Sequence, residues 1–259
     1  MRRVGVVAFV LLALCGASSP AAAPGRSVTV YLVRAGHVAP VRRVVPRTAA
    51  PARAALTALL AGPTAAERRQ GYTSAIPGST GLRSVALSHG VLTVDLTRRF
   101  ESGGGSQSML LRVAQVVHTA TQFQTVERVA FRLDGRPVAA IGGEGVIVSP
   151  PVGRTAFEAQ APAILVEQPL PGDRVSTPLR IRGTANVFEA RFSIDVVKAT
   201  GGRLAHRAVS ASAGTGTRGS FDVTIPLGTA SGRVVVVAYV NSPKDGSRID
   251  VVRVPVTLR

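Results

Sequence analysis

Seven short apolar runs, separated by turn residues, fill the last third of this chain and limit its fold more than any other feature. The runs span residues 163–167, 179–184, 190–198, 203–212, 219–225, 232–240 and 248–258. In the third run Phe192, Ile194 and Val196 alternate with polar residues, which is the period-two pattern of a half-buried strand. Seven such strands without a convincing helix predict an all-β domain, an immunoglobulin-like (Ig-like) β-sandwich, over residues 160–259.

Residues 26–158 combine the periodicities of helices and strands and predict a different class of domain. The expected elements are a strand at 28–33, a helix at 50–61, a hairpin at 85–96, a helix at 106–122 and a strand at 126–133. Ser106 is the predicted N-cap of the second helix, and Asp95 is expected on the outward face of the hairpin. The order βαββαβ predicts a small α+β domain with its helices on one face of the sheet.

Short motifs in this first region occur in a familiar order. They are Leu60–Thr64, Ala75–Pro77, Val94–Leu96, Gly103–Ser106, Ala114–Val117, Thr121–Phe123, Phe131–Gly135 and Gly142–Gly145. Together they resemble the GerMN domain of sporulation and spore-germination proteins. The resemblance implies a fold similar to the ring-building motifs of envelope assemblies and a role in protein interaction.

The second region carries its own set of motifs. They are Ile164–Glu167, Pro169, Pro171–Asp173, Gly183–Ala190, Gly214–Gly216, Gly219, Phe221, Ser242 and Lys244–Gly246. They resemble the Ig-like domain of bacterial spore-germination proteins, which often follows a GerMN domain. Asn186, Glu189 and Asp245 are the candidate interaction residues. A structural alternative exists for each, because Asn186 and Glu189 have capping-box spacing and Asp245 fits a turn.

Residues 1–25 have the pattern of an export leader followed by a tether. Val4–Leu14 is an apolar run of about eleven residues, whereas a membrane-spanning helix needs about 20. Leu12–Gly16 is similar to a lipobox and predicts lipidation of Cys15, the only cysteine. The alternative is ordinary cleavage within residues 17–23. We therefore expect an exported protein, either a lipoprotein on the outer face of the membrane or a secreted, wall-associated one.

Arginine supplies nearly all of the positive charge of this chain. The formal charge is +17, and Lys198 and Lys244 are the only lysines. Nucleic-acid binding favours basic residues clustered on one helix or interleaved with aromatics, whereas these arginines are spread along the chain. We expect no nucleic-acid partner. Attraction to anionic polymers stays open, and it defines the alternative function, an arginine-rich wall- or lipid-associated binding module.

Patterns that would indicate catalysis or a cofactor are weak in this sequence. Gly214–Gly219 matches the spacing of a dinucleotide-binding loop, but a strand pattern follows it where a helix is required. The four histidines have no metal-ligand spacing. A secreted hydrolase, the least favoured class, would need two nearby carboxylates. The candidates for such a pair are Asp95, Glu101, Asp134 and Glu144.

These features predict a non-catalytic, exported interaction or scaffold protein of the cell envelope, without catalytic residues, metal or cofactor. We expect the GerMN-like domain to dock an envelope or membrane protein, or a second copy of this chain. The sandwich would act as a spacer or a second docking surface. An acylated Cys15 would attach the whole protein to the membrane.

The intact mass of the protein in the membrane fraction tests the leader prediction. We expect the mature chain to begin at Cys15 and to carry the mass of a diacylated or triacylated N-terminus. A free N-terminus within residues 17–23 would show ordinary cleavage instead. A cytosolic protein that retains Met1 would contradict export.

Overall fold

A computed structural model describes residues 25–143 and 145–259 of this chain. The predicted leader with Cys15 lies outside the described residues, and so does Glu144. Within the described ranges, no helix combines the length and the apolar character needed to cross a membrane.

The first domain contains a long hairpin, a four-stranded sheet and α-helices. Its elements are β1 (Gly25–Arg34), β2 (His37–Pro46), α1 (Pro51–Leu60), α2 (Ala65–Arg69), β3 (Leu82–Ser88), β4 (Val91–Leu96), α3 (Ser106–Ala120), β5 (Arg128–Leu133), β6 (Arg136–Pro137), β7 (Ala140–Ile141) and β8 (Val146–Ile147). β1 and β2 pair with each other, while the larger sheet has the order β3-β4-β5-β6. β4 and β5 are parallel, and α3 forms the crossover between them.

Helix α3 is the central element of this domain. Its apolar residues Val113, Ala114 and Val117 are fully buried. They belong to one core together with Leu59 of α1 and Val94 of β4. The helix therefore joins the hairpin side of the domain to the sheet.

The polar side chains of α3 complete the hydrogen bonds of β1. Only one edge of β1 is paired with a strand of the described fold, β2. On its other edge, Gln115 Nε2 donates to the Tyr31 carbonyl at 2.9 Å, and the Tyr31 amide donates to Thr119 Oγ1 at 3.1 Å. Gln122 accepts from the Thr29 amide at 2.7 Å and donates to the Thr29 carbonyl. Gln115 and Thr119 lie on one face of α3, and Gln122 follows just after its C-terminal end. Together with an isolated bridge between Val33 and Thr73, these side chains take the place of a neighbouring strand.

The predicted fold class is confirmed, but the order βαββαβ lacks one long strand, β2, and the two-residue strands β6, β7 and β8. The sequence did not predict β2, because Pro40 and Pro46 interrupt its pattern. Proline is tolerated in β2 because the described sheet pairs it along one edge only. Helix α2 was also missed; it begins with a capping box between Thr64 and Glu67.

Two local predictions in this domain are wrong. Gly105, rather than Ser106, occupies the N-cap position of α3, and Ser106 is the first helical residue. Asp95 does not face solvent, since its side chain is only 9% exposed. The β5–β6 turn folds over it, and Asp95 Oδ1 accepts a hydrogen bond from the Gly135 amide at 2.9 Å.

The second domain is a sandwich of two sheets, as the alternating pattern predicts. Its strands are β9 (Ile164–Gln168), β10 (Arg174–Val175), β11 (Leu179–Ala185), β12 (Arg191–Lys198), β13 (Arg203–Ser210), β14 (Gly219–Ile225), β15 (Gly232–Asn241) and β16 (Arg248–Leu258). The sheet orders are β10-β16-β15-β12-β13 and β14-β11-β9. Phe192, Ile194 and Val196 lie in the core between the sheets. The two-residue β10 is an addition to the seven predicted strands.

A 3-10 segment, Arg154–Gln160, connects the two domains. Phe157 of this segment is buried in the core of the first domain. Leu165, from the first strand of the sandwich, belongs to the same core. The linker is therefore packed against the first domain, and the boundary between residues 158 and 160 stays a proposal.

The variant Gln115→Leu tests the role of α3 as a substitute strand. Leucine can neither donate to the buried Tyr31 carbonyl nor accept from the half-buried Ala75 amide, so both backbone groups lose their partner. We expect a loss of about 2 kcal/mol or more in the free energy of unfolding, measured by urea unfolding. The matched control is Gln107→Leu on the exposed face of the same helix, which should change stability little. Equal losses in both variants would contradict this role.

Candidate interaction surfaces

Three polar residues from three parts of the chain meet at the junction of the two domains. Tyr31 comes from β1, Arg154 from the linker and Glu167 from β9. The Tyr31 hydroxyl donates to the Glu167 carboxylate, and Arg154 Nη1 contacts the same carboxylate oxygen at 2.7 Å. Burial raises the pKa of Tyr31 above its usual range, so its hydroxyl stays protonated and remains a donor.

Two further ion pairs connect the domains. Arg42 of β2 forms a bidentate pair with Asp173 of the sandwich, with both N–O distances at 2.6 Å. Arg218 of the sandwich pairs with Glu158 of the linker, and its Nε lies 2.9 Å from each carboxylate oxygen. Paired guanidinium and carboxylate groups in this geometry are directional as well as attractive. The sandwich is thus attached both to the hairpin and to the linker.

An apolar cleft of about 570 Å³ lies between the β1–β2 hairpin and the sandwich. We call it the junction cleft. Its lining includes Val38, Pro40, Ile164, Val166, Arg34 and Arg253. Both arginines are exposed, and the Arg34 guanidinium lies 5.2 Å from the centre of the Tyr72 ring. The exposed carboxylate of Asp250 also lines the cleft, which therefore combines an apolar surface with two cationic groups and one anionic group.

A second groove at the junction, of about 690 Å³, is polar. Its lining includes Arg42, Arg154 and Arg182. Each of these arginines already contacts a carboxylate within the described fold: Asp173, Glu167 and Asp222, respectively. An anionic ligand would have to compete with these pairs, so the groove is a weaker candidate site.

His118 lies behind the junction and is almost completely buried. Its ring centre is 5.1 Å from that of Tyr31, and neither of its nitrogens has a hydrogen-bond partner among the described residues. Burial lowers the pKa of His118 well below its usual value, and the charges of Arg154 and Arg218 act in the same direction. The imidazole is therefore neutral in the folded protein at neutral pH.

The candidate interaction residue Asn186 lies in the loop between β11 and β12, here called the Phe188 loop (residues 186–190). It does not form the capping box with Glu189 that its spacing allows. Asn186 Oδ1 accepts from the Gly216 amide at 3.0 Å, and its Nδ2 donates to Glu158 of the linker at 3.0 Å. Asn186 therefore ties this loop to its neighbour and to the linker.

The second candidate, Glu189, sits in a strained part of the Phe188 loop. Glu189 and Ala190 have φ angles of 51° and 57°, a left-handed conformation that costs about 1–2 kcal/mol per residue. The Glu189 amide donates to Thr215 Oγ1 at 3.0 Å, while its side chain is exposed. A Cβ on Gly214 would lie 2.4 Å from the Ala190 nitrogen, so only glycine allows the two loops to pack this closely. Beside Glu189, Phe188 is 72% exposed.

The third candidate, Asp245, lies in the turn between β15 and β16. Its carboxylate accepts from the Ser247 amide at 3.0 Å and from the Ser247 hydroxyl at 2.7 Å. The hydrogen bond from the hydroxyl is the main cause that lowers the pKa of Asp245. Because β12 and β15 are antiparallel, this turn and the Phe188 loop lie at the same end of the sandwich. Binding by any of the three candidates stays a prediction.

The glycine-rich segments have structural partners. Gly214–Gly219 leads into strand β14, in agreement with the strand expected there. The Gly103–Ser108 segment is closed by Arg112, whose Nη2 donates to the Gly103 carbonyl at 2.9 Å. Gly214–Gly219 therefore precedes a strand, whereas a dinucleotide-binding loop precedes a helix. Gly103–Ser108 does lead into α3, but Arg112 already contacts its backbone.

The fold brings together two of the four carboxylates considered for hydrolysis. Asp95 and Asp134 both contact Arg83, at 3.5 and 3.8 Å. Glu101 pairs with Arg98 at 2.7 Å, and Glu144 lies outside the described residues. No group of three or more His, Cys, Asp or Glu residues in the described ranges could hold a metal ion.

The described residues form a two-domain protein, an α+β domain joined to an Ig-like sandwich. Residues 29–139 match the family described as "Sporulation and spore germination". Residues 163–247 match the family described as "Immunoglobulin-like domain of bacterial spore germination". The resemblance noted in the sequence is thus confirmed. The chain thus matches two spore-germination families in tandem, each over part of its length.

Several solved structures are similar to this chain. The first GerMN domain of the sporulation protein GerM from Bacillus subtilis is 19% identical, with a TM-score of 0.43, and the match covers 50% of this chain and 98% of that one. The tandem GerMN domains of the same protein are 14% identical, with a TM-score of 0.44, over 78% of this chain and 61% of that one. A putative lipoprotein from Clostridium perfringens is 15% identical, with a TM-score of 0.39, and the match covers 53% of this chain and 93% of that one. No curated protein matches the chain.

The variant His118→Leu tests the effect of the buried imidazole on stability. Above about pH 6.5 the ring is neutral in both the folded and the unfolded chain. Below that pH only the unfolded chain binds the proton, so the wild type should lose up to about 1.4 kcal/mol of stability per pH unit. We expect His118→Leu to remove this part of the slope in urea unfolding at a series of pH values. The control His89→Asn, at an exposed turn, should keep the slope, and a wild-type slope equal to that of His118→Leu would contradict the account.

Proposed function

We propose that this chain is an exported, non-catalytic interaction or scaffold protein of the cell envelope. In this proposal, lipid on Cys15 holds it on the outer face of the membrane, where it docks an envelope or membrane protein. The tandem of two spore-germination families carries the proposal. The families are described by sporulation and spore germination, and we extend that role to this chain as part of the same proposal.

The domain junction supports a scaffold role. Tyr31, Arg154 and Glu167 connect hairpin, linker and sandwich, and the Arg42–Asp173 pair adds a second attachment. These contacts hold the surfaces of both domains in one relative orientation. A preorganised surface loses less conformational freedom when a partner binds, which favours affinity.

The contacts of the candidate catalytic groups support a role without chemistry. Asp95 and Asp134 have Arg83 between them, so their charges are balanced by a structural ion pair. Asn186 hydrogen-bonds to Gly216 and to Glu158 of the linker, and Asp245 accepts from Ser247 within its own turn. These carboxylates and the Asn186 amide thus have structural partners, whereas the side chain of Glu189 is exposed.

A second candidate function is attachment to anionic lipid or wall polymer through arginine. The outer face of the five-stranded sheet favours it. Asp195, whose side chain is 1% exposed, contacts His206 at 2.8 Å, Arg248 at 2.6 Å and Arg203 at 3.8 Å. Two guanidinium groups thus surround a single carboxylate and keep part of their surface in solvent. Such a site would bind polyanions, and binding would weaken as salt screens the charges.

Crosslinking in intact cells followed by affinity purification of the tagged full-length protein distinguishes these functions. Under the scaffold function we expect a small set of defined envelope proteins, retained when the purified membranes are washed in high salt. The variant Arg203→Gln should leave this set unchanged. Under the second function, attachment should fall steeply with salt and weaken further in Arg203→Gln.

Two outcomes would contradict the scaffold function. One is recovery of bulk lipoproteins without a defined partner. The other is an unanchored protein that crosslinks to nothing in the envelope.

A further inference from the structure

The exposed aromatic ring of Phe188 is presented by a rigid loop. Phe188 is 72% exposed, although burial of a phenylalanine side chain is strongly favourable. Single exposed apolar residues are common on protein surfaces, so exposure alone does not indicate a binding site. The surroundings of Phe188 distinguish it from such a residue.

The backbone on the C-terminal side of Phe188 is strained and held from several directions. Glu189 and Ala190 are both left-handed, and so is Thr215 in the facing loop. The Thr215 amide donates to the Val187 carbonyl at 3.0 Å, and Asn186 attaches the loop to the linker. Strained non-glycine residues persist where the surrounding contacts enforce them, and they concentrate at functional sites. The loop therefore presents Phe188 with little freedom of its backbone, as an interaction anchor requires.

The side chains at the tip indicate the chemistry of the surface that would receive them. Phe188 needs an apolar pocket, and the neighbouring Glu189 carboxylate favours a cation beside that pocket. The junction cleft has both features. Its half-buried apolar lining includes Ala39, Pro162, Ala163 and Val252. Its exposed charged lining residues are Arg34, Arg253 and Asp250, so arginine outnumbers carboxylate there. Its volume of about 570 Å³ is ample, since a cavity of about 150 Å³ already accepts a benzene ring.

The charge of the chain adds specificity to this match. At a net charge of +17, two copies repel each other over most of their surfaces. Contacts that place an exposed carboxylate beside arginine are the exception. Within the described residues, neither Arg34 nor Arg253 belongs to an ion pair with a carboxylate, although Arg34 lies over the Tyr72 ring. Asp250 is the one carboxylate in the described lining of the cleft, so the balance of charge there favours Glu189.

We propose that the Phe188 loop of one copy inserts into the junction cleft of a second copy, with Phe188 in the apolar interior and Glu189 facing Arg34 and Arg253. The contact deepens the proposed scaffold function, on which it rests, by naming a second copy of the chain as one partner. The two halves of the contact, loop and cleft, are different surfaces of the same chain. Each can therefore be disabled separately.

Analytical ultracentrifugation of the chain from Gly25 onward tests the proposal. This form contains the described core residues of both domains. We expect it to self-associate at concentrations below about 1 mM. Phe188→Ala should weaken self-association at least about tenfold. The double variant Arg34→Glu with Arg253→Glu should weaken it comparably, because the cleft then repels Glu189.

Mixing the two variants is the decisive measurement. The Phe188→Ala chain keeps an intact cleft, and the arginine double variant keeps an intact loop. Each variant alone should associate at least about tenfold more weakly than the wild type, but an equimolar mixture should form a 1:1 complex. The matched control is Val44→Ser, which changes another strongly exposed apolar residue, 74% exposed, and should associate as the wild type does.

Three results would overturn the proposal: a wild type that stays monomeric up to about 1 mM, association that Phe188→Ala leaves unchanged, or a mixture that stays monomeric although each variant is folded. Circular dichroism of each variant establishes folding. None of these results bears on the crosslinking experiment, so a defined envelope partner would uphold the scaffold function even if this contact failed. Binding of Phe188 to lipid vesicles without self-association would also contradict the proposal, because that result would assign the loop to a membrane.

Discussion

Helix α3 completes the free edge of strand β1, and the rest of the structure depends on this interaction. β1 is buried at its centre, yet the described fold pairs it with one strand only. Buried peptide groups without partners would destabilise such a strand. Gln115 and Thr119 of α3 and Gln122, just beyond its C-terminal end, provide the missing partners. The position of the hairpin relative to the larger sheet is fixed as a consequence.

The placement of the hairpin in turn determines how the second domain docks. Tyr31 lies on β1 next to the bonds from α3, and its hydroxyl reaches Glu167 of the sandwich. Arg154 joins the same carboxylate from the linker. Burial of these groups is tolerated because each is paired, whereas His118 behind them is the exception. The junction thus fixes the orientation of the two domains. It also contains one buried group, His118, that should lower the stability of the folded protein in acid.

Sequence periodicity predicted those elements whose pattern is local. Phe192–Val196 alternates as a half-buried strand must, and α3 has helical spacing throughout. The sequence did not predict β2 because Pro40 suggests the end of a strand. A strand that is paired along one edge only can nevertheless contain proline. The spacing of Asn186 and Glu189 suggested that they cap each other. In the fold Asn186 bonds to Gly216 and Glu158 instead, because distant chain segments offer better-placed partners.

The sequence by itself determined the two domain classes, their order and the family motifs that they carry. These follow from hydrophobic period and turn chemistry, which act over a few neighbouring residues. Only the tertiary structure decided that α3 replaces a strand, that Tyr31 meets Glu167 and that a cleft opens beside the hairpin. The reason is distance along the chain: Gln115 and Tyr31 are 84 positions apart, and Tyr31 and Glu167 are 136 apart. Packing of whole elements selects such pairs, and no local pattern encodes them.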